Sequence, residues 1–457
     1  MKLTIPPVQI DPTKPFNHDL FKREEFGEGL ANLILKFDEP LVISIDAPWG
    51  EGKTTFVKMW KGLLDQKKIP AIYVDAFAHD YLDDPFMTVV GAINQYAEEN
   101  TQQGQQTRMA EFKEKSIKVG GKLLSVGAKL AAKGTTLGLV GESEWEGFKD
   151  IQKALSNEAA KGAEEFVKHQ LESHKEAQNV VKSFKASLED LPEHLGDGQN
   201  PLVIIIDELD RCKPTFAVEL IEKIKHLFLV PKIVFVLVMN KEQLMEAIRF
   251  VYGQNIKAHT YLQKFITIET QLPKKSQTQF IASSEIWAYA EHLFKQHQLG
   301  SQGRALDEVG WLILLSVSLN LSLREVEKAM SLVTLYVATS SNNPAIPLRL
   351  VGALAVIKVK LPDLFAKLSN SAISGAELFE SLPFPKGASV NEIIKRDWVR
   401  MNSVFETFLL TDNQFQKLTD KDKEDRDQYL QWLYAADLGR LEAIPYLTDR
   451  LRSFVGY

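Results

Sequence analysis

The apolar run Leu41-Val42-Ile43-Ser44-Ile45 leads into Ala47-Pro48-Trp49-Gly50-Glu51-Gly52-Lys53-Thr54-Thr55. No other stretch limits the fold so tightly. A strand, a Gly-rich turn and a Lys-Thr pair opening a helix make a backbone cradle for an anion. The glycines permit the dihedrals that turn N–H groups inward, and the helix adds the positive end of its dipole. On this reading Pro48, Trp49, Gly50, Glu51, Gly52, Lys53, Thr54 and Thr55 surround a nucleotide. Lys53 reaches the β- and γ-phosphates, and Thr54 offers its hydroxyl to Mg²⁺. Ala47 stands where such loops usually open on glycine, and alanine is small enough to turn there. The plain alternative is a Gly-rich turn before an ordinary helix.

A second segment raises the first reading. Leu202-Val203-Ile204-Ile205-Ile206 ends in Asp207-Glu208. Branched aliphatics without alternation fit a strand buried on both faces, as in a parallel sheet. An acidic residue at the carboxyl end of such a strand sits at the crevice where doubly wound sheets bind ligands. Asp207 is expected to hold Mg²⁺ through water, and Glu208 to polarise an attacking water.

Composition narrows the class. The chain has 457 residues, enough for two or three domains, and is 45% hydrophobic and 25% charged, like a soluble globular protein. A formal net charge of −6 disfavours a globally basic nucleic-acid binder, so direct nucleic-acid binding is not indicated. The single cysteine, Cys212, rules out a disulfide framework within the chain and fits a reducing cytoplasm. The first residues lack the apolar stretch of a signal peptide, and no clean run of about twenty apolar residues suggests a membrane span.

Along the chain, Pro6, Pro7, Pro12 and Pro15 mark a loop-like start, and helical spacing runs from Asp19 to Leu35. Ala71 to Phe77 reads as a strand and Pro85 to Glu99 as a helix. Composition shifts between Asn100 and Asn200 toward Gln, Gly, Ala and Lys. Ile233 to Met239 is a further buried strand, stopping at Asn240. Beyond Gln271 the pattern is helical, with Ser322 and Glu325 spaced as a capping box. The expected division is a first part of the nucleotide core over 1–99, a helical insertion over 100–200, a second part of the core over 201–272, a helical lid over 273–340 and a C-terminal helical domain over 341–457.

These residues resemble the KAP family of P-loop NTPases. The likeness rests on the Trp49-Gly50-Glu51-Gly52-Lys53-Thr54 loop and on Asp207-Glu208-Leu209-Asp210-Arg211-Cys212-Lys213-Pro214, and also on Asp75 to Tyr81, Val236 to Leu244 and Tyr261 to Phe265, over roughly 18 to 335. It implies an α/β fold of the ASCE type, a doubly wound parallel sheet with an extra strand between the loop strand and the Asp-Glu strand. It also implies a helical insertion and Mg²⁺-dependent ATP hydrolysis used as a conformational switch. Some bacterial relatives act in phage exclusion, and animal relatives are membrane scaffolds. Glu208 stands for the family's common second Asp, and Asn240 for a frequent Asp. Asn240 is then placed to orient the attacking water, as sensor-1 residues do, and Arg324 to fold over the γ-phosphate, as a sensor-2 arginine does. A plain helix-surface arginine is the equal alternative for Arg324.

Other features stay open. Arg211 and Asp210 pair with each other, line the site, or face a neighbouring subunit. His79 and Asp80 contact the site or, more simply, hold a turn. Lys118, Lys122, Lys129 and Lys133 lie beside Val119, Leu123, Val126 and Leu130 in a basic amphipathic pattern within 116–141. That pattern fits a helix docked on protein, one lying on an anionic bilayer, or a hinge made pliable by glycine. The expected catalytic set is Glu208, Lys53, Asn240 and Arg324, with Thr54 and Asp207 on the metal. Expected partners are ATP, Mg²⁺ and either further copies of the chain or another protein. Expected localisation is cytoplasmic, with peripheral contact to the inner membrane left open. The rival function is a membrane- or partner-bound scaffold in which the nucleotide is mainly structural.

Overall fold

The computed structural model describes residues 2–100, 110–118, 179–274, 284–299, 305–340, 347–384, 392–417 and 427–453, apart from 38, 83, 180, 196–197 and 226. The basic amphipathic stretch expected over 116–141 lies outside these residues beyond Lys118.

Five parallel strands form one sheet in the order β2-β3-β4-β1-β5. They are β1 (Leu41–Asp46), β2 (Ala71–Asp75), β3 (Leu202–Asp207), β4 (Ile233–Met239) and β5 (Ile268–Gln271). The strand after the Asp-Glu motif, β4, lies between β3 and the loop strand β1, with Leu41 opposite Val234 and Leu202 opposite Ile233. This is the ASCE arrangement. Side chains alternate between two apolar layers. Ile204, Ile206, Phe235 and Leu237 pack on helices α3 (Pro85–Asn100), α4 (Pro214–Ile224) and α5 (Lys241–Tyr252). Ile43, Ile45, Val203 and Val236 pack on α1 (Glu24–Lys36) and α2 (Lys53–Gln66).

Three local differences from the sequence expectations have clear causes. The β2 strand stops at Asp75, not Phe77, because the Asp75 carboxylate accepts from the N–H of Ala78 at 2.9 Å and starts a turn. Helix α1 begins at Glu24, not Asp19, since Lys22 has φ of 55° and Asp19 accepts from the N–H of Glu24 at 2.9 Å. The edge strand β5, Ile-Glu-Thr-Gln, has only half-buried and exposed positions and so lacks an aliphatic run.

The short α6 (Ala258–Leu262) precedes β5, and α7 (Glu285–His297), α8 (Ala305–Ser318), α9 (Leu323–Thr339) and α10 (Leu348–Lys360) follow it. Further helices run to Ala443–Ser453. Residues from Ile286 to Leu451 share one apolar core, which includes Trp311, Tyr336, Leu354, Phe405 and Leu447. Helices on both sides of residue 340 therefore belong to a single helical unit. At the start of α9, Ser322 Oγ accepts from the Glu325 N–H while the Glu325 carboxylate accepts from the Ser322 N–H, the capping box that their spacing predicts. Among the described residues, no helix is long and apolar enough to cross a membrane.

Phe235 is fully buried in the middle of the sheet, edge-on to Phe228 at 5.0 Å between ring centroids. Phe235→Ala is expected to cost about 3–5 kcal/mol of stability, read from the urea unfolding transition.

Candidate functional site

The loop between β1 and α2 is built on two left-handed glycines, Gly50 at φ +82° and Gly52 at φ +79°. Gly52 is the N-cap of α2 and supplies no capping side chain, which leaves the end of the helix available to an anion. Gly50 is also needed for space: a Cβ there would lie 2.8 Å from the Cβ of Arg324. Ala47 keeps a negative φ, and its N–H donates to the Met239 carbonyl at 3.2 Å, so alanine turns the chain there without strain.

Lys53 is 7% exposed and folds back across the loop, donating to the carbonyls of Ala47 at 2.6 Å and Pro48 at 3.2 Å. Burial lowers its pKa, and the nearby carboxylates Asp210 and Asp207 oppose that shift. Asp207 is fully buried and accepts from the Tyr73 hydroxyl at 3.0 Å and from the Glu208 N–H at 2.8 Å. Desolvation raises its pKa against the pull of Thr54, Glu208, Tyr73 and Lys53. Glu208 has φ of 59° and takes an Arg211 ion pair at 2.6 Å, with the Thr54 hydroxyl 3.4 Å away. Its pKa is also raised by burial, with Arg211 opposing. Asp210 accepts from the Trp49 indole N–H, while its Oδ1 is buried and has no hydrogen-bond partner.

A cavity of about 880 Å³ joins these groups. Gly50 and Gly52 line it from the loop, Lys53, Thr54 and Thr55 from the start of α2, Asp207, Glu208, Asp210 and Arg211 from the β3 end, and Arg324 from α9. The remaining expected residues turn elsewhere. Glu51 directs its carboxylate to Lys274 at 2.7 Å, and Trp49 faces Asp210. Asn240 caps α5, its Oδ1 3.5 Å from the Gln243 N–H, and is not among the cavity-lining residues. His79 bonds the Asp75 carbonyl at 2.8 Å and Asp80 accepts from the Lys213 N–H at 3.2 Å, so both hold turns. Burial pushes the Cys212 thiol up to about 12, which suits a packed residue and not a nucleophile.

The sequence reading missed the rest of the wall. Residues 5–9 and 17–21 of the N-terminal segment, with Arg23, Tyr289, His292 and Gln296, complete the cavity. Phe21 lies 6.2 Å from Tyr289, and Tyr289 stacks on His292 at 14° between ring planes. These residues carry no local signal, because they meet only through tertiary packing.

The donor set fits a nucleoside triphosphate with Mg²⁺. It combines an open helix N-terminus, a buried ammonium resting on loop carbonyls, a hydroxyl and a fully buried carboxylate. Fold and loop together define a P-loop protein of the ASCE type. The model of the KAP family P-loop domain matches residues 23–339, more than half of the sequence, and the chain belongs to that family. Comparison with curated proteins gives no match. Among solved structures, the Aeropyrum pernix ORC2 protein, in ADPNP and ADP complexes, aligns over 94% of this chain and 94% of its own, at 13% identity and a TM-score of 0.34.

Folded Asp207 binds its proton more tightly than the unfolded side chain does. Stability therefore falls as pH rises from the ordinary 3.8 through the raised folded value, and is flat above it. Asp207→Asn removes that loss. The ligand-free variant should melt above wild type at neutral pH, with the gain shrinking toward about pH 4, as thermal denaturation at both pH values will read.

Proposed function

We propose that this chain binds and hydrolyses ATP with Mg²⁺, as a switch whose helical unit responds to the nucleotide. The observation that carries the reading is the convergence of Lys53, Thr54, Asp207 and Glu208 on one cavity at the start of α2. Lys53 leaves the loop carbonyls for the β- and γ-phosphates and neutralises charge that develops as the γ-phosphoryl departs. Thr54 and Asp207 would hold Mg²⁺, which would supply further neutralisation of negative charge. Glu208 orients the attacking water once Arg211 releases it, and Arg211 is then free to turn toward the phosphates. Arg324, packed against Gly50 at the mouth, brings α9 within reach of the same charge. The aromatic group Phe21, Tyr289 and His292, with the amides of Asn17 and Gln296, suits a base.

Asn240 enters only by moving from its capping position. The wider setting, phage exclusion by an oligomer or with a partner protein, rests on family likeness alone. Among the described residues no observation favours the scaffold reading over turnover.

Lys53→Ala is expected to abolish binding of both ATP and inorganic tripolyphosphate. Glu208→Gln should keep ATP binding and stop phosphate release; turnover at the wild-type rate would remove Glu208 from its role. Tyr289→Ala should weaken ATP by about tenfold and leave tripolyphosphate unchanged, since base stacking is worth about 1–3 kcal/mol. Calorimetry and a phosphate-release assay read these outcomes. In cells, the wild type but not Lys53→Ala should lower phage plating.

A further inference from the structure

Arg23 precedes α1 and is 3% exposed, a rare setting for a guanidinium. Its nitrogens reach three separate parts of the chain. Nη1 donates to the Glu51 carbonyl in the phosphate loop at 2.9 Å, and Nε to the Pro273 carbonyl beyond β5 at 3.1 Å. Nη2 pairs with the Glu285 carboxylate at 2.9 Å. Glu285 opens α7 in the helical unit and is itself 8% exposed. The Phe21 ring lies 4.7 Å from the guanidinium carbon, and a Cβ on Gly52 would sit 3.5 Å from Nη1.

A peptide unit is planar and trans, so its C=O and N–H point opposite ways. Holding the Glu51 carbonyl on Arg23 turns the Gly52 N–H away from Arg23. That N–H belongs to the N-cap of α2, where an anion would bind. Gly52, lacking a Cβ, does little to stop this peptide from rotating. The restraint comes from outside the loop. Lysine at position 23 would keep the charge but not the planar fork that spans three acceptors.

We propose that Arg23 is a positioning residue of the phosphate loop. It fixes the Glu51–Gly52 peptide for anion binding and is itself set by Glu285. The loop's affinity for phosphate then depends on a helical-unit residue that touches no phosphate. By reciprocity, an anion in the loop biases the hold on α7. The proposal rests on the loop's being an anion site, as argued above.

Calorimetric binding of tripolyphosphate and of ATP to the full chain tests it. The proteins are wild type, Arg23→Lys, Glu285→Gln and the double variant, each first checked for a cooperative thermal melt. Arg23→Lys should weaken both ligands equally, by about tenfold, since the loss sits at the phosphates. Glu285→Gln should weaken both by about threefold, and the double variant should be no weaker than Arg23→Lys, because the two residues act in series. A lowered melting temperature with affinities within about twofold of wild type would make Arg23 a purely structural bond and overturn the proposal. Additive losses in the double variant overturn the route through Glu285. Should Arg23→Lys fail to fold, Glu285→Gln decides alone, and unchanged affinity refutes the coupling. A wild-type chain that binds neither ligand brings down the anion-site reading and this proposal together.

Discussion

A strand covered on both faces can carry charge only at its ends, and that constraint organises the molecule. Three strands of the sheet end on aspartate: β1 on Asp46, β2 on Asp75 and β3 on Asp207. Each turns its carboxylate onto a backbone N–H at the same sheet edge, from Lys241, Ala78 and Glu208 respectively. Asp46 and Asp75 thereby act as turn formers. Asp207 differs because it is fully buried and sits across from the start of α2. A carboxylate so placed is costly unless a cation or donor answers it. Tyr73, Thr54 and Lys53 supply that answer in part.

The surrounding charges are arranged in short exchanges. Glu208 is occupied by Arg211, Lys53 by loop carbonyls and Asp210 by Trp49, with one Asp210 oxygen left over. Two of these pairings hold Lys53 and Glu208, the groups on which the proposed chemistry rests.

The sheet was legible wherever burial on both faces forced an aliphatic run, as in β1, β3 and β4. The edge strand β5 was not, because exposure on one side removes that pattern. The loop and Asp207-Glu208 were legible because backbone geometry and strand-end chemistry are local. Asn240 shows the limit: its sequence position is equally that of a helix cap, and the cap is what it forms. Arg23, Tyr289 and His292 gave no signal. Arg23 meets its partners across 250 and 262 residues, distances that no local pattern spans. The 100–200 insertion lies mostly outside the described residues.

The N-terminal segment is stitched to the helical unit at a second place. The His297 ring bonds the Lys2 carbonyl at 2.6 Å, a contact spanning 295 residues. Together with Arg23, this seam joins parts of the chain that each have their own apolar core. Closing such long loops has to follow the local assembly that offsets its entropy. The cavity wall thus depends on contacts between parts of the chain far apart in sequence. Losing either contact would release the N-terminal segment from the helical unit while each apolar core kept its own packing.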